Sequence, residues 1–152
     1  MSLKRTLLSC FCVLLGGMFP ACAFDFSYGN YLVVKDIKQR DKKLLLPVAQ
    51  RKYRNIKVLS KDVYVFLRQC QTDCRLEVSK ADFSVEDSRK ALTREGMLLA
   101  DVSFNGDLLL TFLVFKEKNG FSVKTPEKVV FTDKQLERQV QARLREVAKE
   151  IL

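Results

Sequence analysis

Two Asn-Gly pairs constrain this chain more than any other feature. The stretch from residue 97 reads MLLADVSF, NG, DLLLTFLVFKE, KNG, FSVKT. Asn105-Gly106 and Asn119-Gly120 suit two-residue turns whose backbone needs positive φ, so each predicts a β-hairpin. Val102 and Phe104 before the first turn, and Leu109, Thr111, Leu113 and Phe115 after it, alternate as strand faces do. The run LLLTFLVF is apolar on both faces, which predicts a central strand covered on each side. VVF at 129–131 follows Pro126 and is expected either as a last strand, closing a meander over residues 97–131, or as the lead-in to the helix.

A different period takes over at the C-terminus. Leu136, Val140, Leu144, Val147 and Ile151 form one stripe at helical spacing, opposite Arg138, Arg145 and Lys149. The spacing predicts an amphipathic helix over 133–151. Thr132 with Gln135 is expected as its capping box, and Phe131 with Leu136 as its staple. Such a stripe most simply packs on the chain's own sheet. A partner's groove or a second copy is the alternative.

The earlier elements are shorter. FDFSYGN at 24–30 reads as an aromatic lead-in. Strands are expected at 31–37, 44–49, 55–59 and 75–83. Residues 60–70 allow two readings. Val63, Phe66, Leu67 and Cys70 make a helical stripe with Ser60 as N-cap, and Val63, Val65 and Leu67 also alternate. The helix is preferred. SVEDSRKALTREG, with Ser84 as N-cap, early acids, late bases and Gly96 as a stop, is expected to be a short helix despite a thin apolar face. The resulting fold class is α+β: an antiparallel sheet packed by the C-terminal helix, with one or two shorter helices.

The N-terminus carries a different message. Lys4 and Arg5 precede a run from Thr6 to Phe24 without any charge. Leu7, Leu8, Phe11 and Val13 to Leu15 form its apolar centre, and Ala21 and Ala23 supply small residues at the end. This is the pattern of a secretory signal peptide over 1–23, cut between Ala23 and Phe24. A membrane anchor is the competing reading, since the run nearly reaches the roughly 20 residues a spanning helix needs. Gly16, Gly17 and Pro20 interrupt it. A third reading takes Phe19-Pro20-Ala21-Cys22 as a lipobox, with Cys22 lipidated and the protein tethered to a membrane. The remainder, 24–152, is expected to be one exported domain, periplasmic or secreted, with enough residues for a core of its own. The absence of an Asn-x-Ser/Thr sequon leans towards a bacterial envelope.

Export simplifies the cysteines. Cys10, Cys12 and Cys22 lie in the leader, leaving Cys70 and Cys74 in CQTDC. In an oxidising compartment such a pair is expected to form a disulfide. Two cysteines without any histidine make only half a structural zinc site, and C-x-x-x-C is not the redox spacing.

Charge is uneven. Of 27 basic and 18 acidic residues, Lys4 and Arg5 belong to the leader, so the rest carries +7. Residues 35–61 alone hold ten basic and two acidic residues, or +8. The excess is one segment's property, and it nominates Lys35, Lys38, Arg40, Lys42, Lys43, Arg51, Lys52, Arg54 and Lys57 as contacts for an anionic partner. Outside the cytoplasm that partner is an envelope component, a lipid headgroup or an acidic protein rather than nucleic acid. A solvated edge kept soluble by cations is the plainer alternative. No histidine, nucleophile elbow or phosphate loop is present. Neither catalysis nor a cofactor is expected. The functional expectation is a non-catalytic binding or assembly domain. Its alternative is a carrier or sensor of an apolar ligand between sheet and C-terminal helix, motivated by eleven Phe and many Leu.

Overall fold

The computed structural model describes residues 22–47 and 55–152. Among the described residues, two five-stranded sheets and two helices share one apolar core. The first sheet contains β1 (Cys22–Tyr28), β2 (Leu32–Arg40), β3 (Lys43–Leu45), β5 (Cys74–Leu76) and β10 (Val129–Phe131). Its order is β10-β2-β1-β5, with β3 also on β2. The β1–β5 pair is parallel and the others are antiparallel. The second sheet contains β4 (Ile56–Val58), β6 (Phe83–Lys90), β7 (Met97–Phe104), β8 (Leu108–Glu117) and β9 (Gly120–Lys124). Its order is β4-β8-β7-β6, with β9 also on β8. The helices are α1 (Lys61–Gln69) and α2 (Lys134–Ile151).

The expected α+β class is what the chain adopts, with α2 packed on β6, β8, β9 and β10. The meander through β7, β8 and β9 follows the alternation in the sequence. Leu98, Ala100, Val102 and Phe104 of β7 and Leu108, Leu110, Phe112 and Val114 of β8 turn into the core. They share it with Phe24, Phe26 and Tyr28 of β1 and with Val140, Leu144 and Ala148 of α2, all of them at most 2% exposed. Asn105 and Gly106 both take positive φ, as their hairpin demands, whereas at the second turn Gly120 does so. Val129–Phe131 leaves the meander and pairs with Leu32–Val34 of the first sheet. Its Phe131 ring lies 6.1 Å from Phe104 and 6.3 Å from Phe112, which stitches the two sheets together.

Several local expectations are corrected. Residues 83–90 form an edge strand on β7, not a helix capped by Ser84. The thin apolar face explains this: Val85, Ala91 and Leu92 cannot anchor a helix, while the free edge of β7 needs hydrogen-bond partners. As a strand the segment turns Phe83 and Val85 towards the core and leaves its charges outside, and such charges guard an edge. The aromatic lead-in is in fact β1, which lies between β2 and β5. Finally, Asp133 rather than Thr132 caps α2, accepting from Gln135 N at 3.0 Å and Leu136 N at 3.1 Å. The Thr132 hydroxyl instead donates to Asn30 O. Residues 60–70 resolve in favour of the helix, with Ser60 as its N-cap. The expected strand at 75–83 is confined to Cys74–Leu76 before the chain becomes irregular. The one expected at 44–49 is Lys43–Leu45, and residues 48 and 49 lie outside the described residues.

Candidate functional site

The cations of the basic segment gather on one hairpin. β2 and β3 are joined by Asp41 (φ 52°) and Lys42 (φ 64°), two left-handed residues as a type I′ turn requires. A bulge decides which way the side chains point. Before it, Leu32 and Val34 face the core; after it, Ile37 does. The parity of the strand has changed, because Asp36 sits at φ 65° where the β1–β2 register shifts. The backbone N–H of Asp36 donates to Asp25 Oδ1. This one extra residue keeps Lys35, Lys38 and Arg40 on the same outer face. Without it Lys38 and Arg40 would turn inward. Lys43 stands opposite Arg40 and Leu45 opposite Lys38, so both share that face.

Lys35, Lys38, Arg40, Lys42 and Lys43 are all exposed, and none forms an ion pair with another described residue. Asp41 of the turn forms no ion pair with another described residue either. Asp36 lies 3.8 Å from Lys128. Lys57 is also exposed but sits on β4 in the second sheet, apart from the hairpin face. Arg51, Lys52 and Arg54 lie outside the described residues.

Beside the hairpin, β3, β4 and α1 enclose an open cleft of about 430 Å³, lined by Leu44, Leu46, Pro47, Ile56, Lys57, Val58, Leu59 and Tyr64. The Arg68 guanidinium lies 6.0 Å from the Tyr64 ring centroid. The sequence placed an apolar ligand between sheet and α2. There Val140, Leu144 and Ala148 are fully buried in the core, and this cleft opens elsewhere.

Cys70 and Cys74 are disulfide-bonded, with Cα atoms 6.1 Å apart. The bond joins the C-cap of α1 to the first residue of β5. Gln39 of β2 adds a second tie, donating from Nε2 to Leu67 O at 2.8 Å and Arg68 O at 2.7 Å. The end of α1 is therefore fixed to the same part of β2 that carries the cations. Cys22, Ala23 and Phe24 all lie within β1, and Phe24 is 2% exposed. Residues 1–21 lie outside the described residues. Among the described residues, no helix is long and apolar enough to cross a membrane.

Sequence reasoning missed a polar ladder on the outer face of the second sheet. Asp101 accepts from Thr111 Oγ1 at 2.6 Å and from Arg89 at 3.0 Å, and Arg89 also reaches Asp87 at 2.9 Å. The hydrogen bond to Asp101 is the main reason the Arg89 guanidinium holds its proton even more firmly than usual, against the opposing effect of burial. Ser103 donates to Glu86 beside it. Asp87, Asp101 and Glu86 are thus engaged as acceptors, which makes the ladder a cross-strand tie. Reading β6 as a helix hid it. A second basic opening, lined by Lys90, Arg94 and Lys116 near Leu152, was hidden for the same reason.

Compared with protein-family models, with curated proteins and with solved structures, the chain matches none.

Proposed function

We propose that this chain is a non-catalytic binding or assembly domain, exported to the cell envelope, that meets an anionic partner through the outer face of the β2–β3 hairpin. One observation carries the reading: five cations stand exposed on one hairpin, three of them (Lys35, Lys38 and Arg40) set on one face by a bulge, and all are without ion-pair partners among the described residues. Solvation alone does not need cations to share a face. A partner of opposite charge does, because its attraction sums over neighbours within a Debye length of roughly 8–10 Å.

The test is charge reversal on the side chains that the fold aligns. A Lys38→Glu, Arg40→Glu, Lys43→Glu variant is expected to lose at least about tenfold in association with envelope fractions of its own host. Raising salt should weaken the parent protein in the same direction. Association that is unchanged by reversal and insensitive to salt overturns the reading. Circular dichroism checks that the variant keeps its fold, which exposed positions should allow.

A further inference from the structure

We infer that the anionic partner is a lipid bilayer, and that the protein sits on it with the end of the first sheet where β1 begins and the β2–β3 hairpin turns. This rests on the anionic-partner reading and narrows it to lipid headgroups held by Lys38, Arg40, Lys42 and Lys43.

The strand register carries the argument. Cys22 pairs with Gln39 and Ala23 with Lys38. Paired strands lie about 4.8 Å apart, so the chain enters the fold one strand spacing from the basic hairpin. What precedes that point in sequence is the run from Thr6 onward with no charge. Read as a span or as a site of lipidation at Cys22, that run holds this end of the sheet at a membrane, and read as a leader it does so until it is cut. The hairpin cations and the apolar run could have met the fold at opposite ends. They meet at the same one.

The chemistry of the face agrees. Leu45, 45% exposed, stands opposite Lys38 among the cations. An apolar side chain among long basic ones suits the boundary between headgroups and acyl chains, where lysine stems also lie. The opposite end of the sheet differs. There Tyr28 donates to Asp107 and accepts from Asn105, the Lys80 carbonyl accepts from Asn105, and Lys80 is itself paired with Asp82 at 3.4 Å. Each cation near an anionic bilayer strengthens binding about fivefold, so four acting together amount to several hundredfold at low salt. A weak apolar attachment gains most from such a second signal.

The experiment is lysine footprinting of the full chain, reconstituted with vesicles of phosphatidylcholine alone or with one-third phosphatidylglycerol. An amine-reactive acetylating reagent marks exposed lysines, and mass spectrometry reads each site. On the anionic vesicles Lys38, Lys42 and Lys43 should react about tenfold more slowly than on the neutral ones, with Lys80 as the unchanged reference. High salt should restore their reactivity. Equal labelling of the hairpin on both vesicles overturns the inference, and so does protection of Lys80 to the same degree. If reversal of Lys38, Arg40 and Lys43 still abolishes envelope association while vesicles leave the hairpin unprotected, lipid is the wrong partner and the anionic-partner reading stands. If reversal leaves envelope association unchanged and the vesicles leave the hairpin unprotected, both fall.

Discussion

Tyr28 shows how much a single side chain can hold. It is fully buried, donates its phenol proton to Asp107 and accepts from Asn105 Nδ2 at 2.9 Å. Asn105 also closes onto Asp82 and the Lys80 carbonyl, so one turn residue and one tyrosine join β1 to the β7–β8 hairpin. Burial, and then the hydrogen bond to Asp107, push the Tyr28 phenol well above the ordinary tyrosine pKa. The folded protein therefore keeps this proton at pH values where the unfolded chain releases it. Its contribution to stability is complete below about pH 10 and declines as pH rises beyond it. Tyr28→Phe should cost about 1–3 kcal/mol at neutral pH, because Asp107 and Asn105 lose their partner. Its denaturation midpoint should also fall less between neutral pH and the alkaline range than the parent's, since lysine titration is common to both. Parallel pH profiles would show that the phenol proton does not stabilise the fold. None of this was legible beforehand: Asn105-Gly106 announced a turn, but not that the Asn side chain would reach Lys80 and Tyr28, residues distant in sequence.

Elements that owe their form to local chemistry were the readable ones. The β7–β8–β9 meander and α2 carry clear periods, and α1 was decided by its stripe and its Ser60 cap. β6 was not readable, because good helix signals at both ends masked the lack of a face to bury. A sheet edge outweighed local propensity there. β1 was missed for the opposite reason: its seven residues became a strand only through partners on both sides. At this scale the Cys70–Cys74 bond invites a measurement. It closes a five-residue loop at the end of α1, and loops of that size stabilise by about 2 kcal/mol in the chain-entropy account. Replacing both cysteines by Ser should lower the urea midpoint accordingly. The effect should centre on α1 and β5, with faster amide exchange at Leu67 to Cys70. A variant as stable as the parent would mean that Gln39 holds the helix end without help.

At the scale of the molecule, the candidate site was legible as a segment but not as a surface. Charge counting found the cations between residues 35 and 61. It could not divide them into a hairpin group and Lys57 on the other sheet, nor see that a bulge at Asp36 sets Lys35, Lys38 and Arg40 on one face. Those facts depend on pairings between distant segments, such as Val34 with Val129. The same pairings make the two sheets one unit. Phe131 belongs to the first sheet by hydrogen bonding and to the second by its ring contacts. Unfolding should therefore be a single transition, with far-ultraviolet and aromatic circular dichroism tracing superimposable curves in urea. Separate midpoints would show that the sheets melt independently.

The position of β1 also imposes an order in time. The bond between Ala23 and Phe24 lies inside a strand whose residues are paired with Lys38 and Ile37. A peptidase needs that stretch extended and unpartnered. Any enzyme that cuts there has to act before the β1–β2 ladder closes, so cleavage at that bond and folding exclude each other in time, and a chain that folds first has hidden the bond.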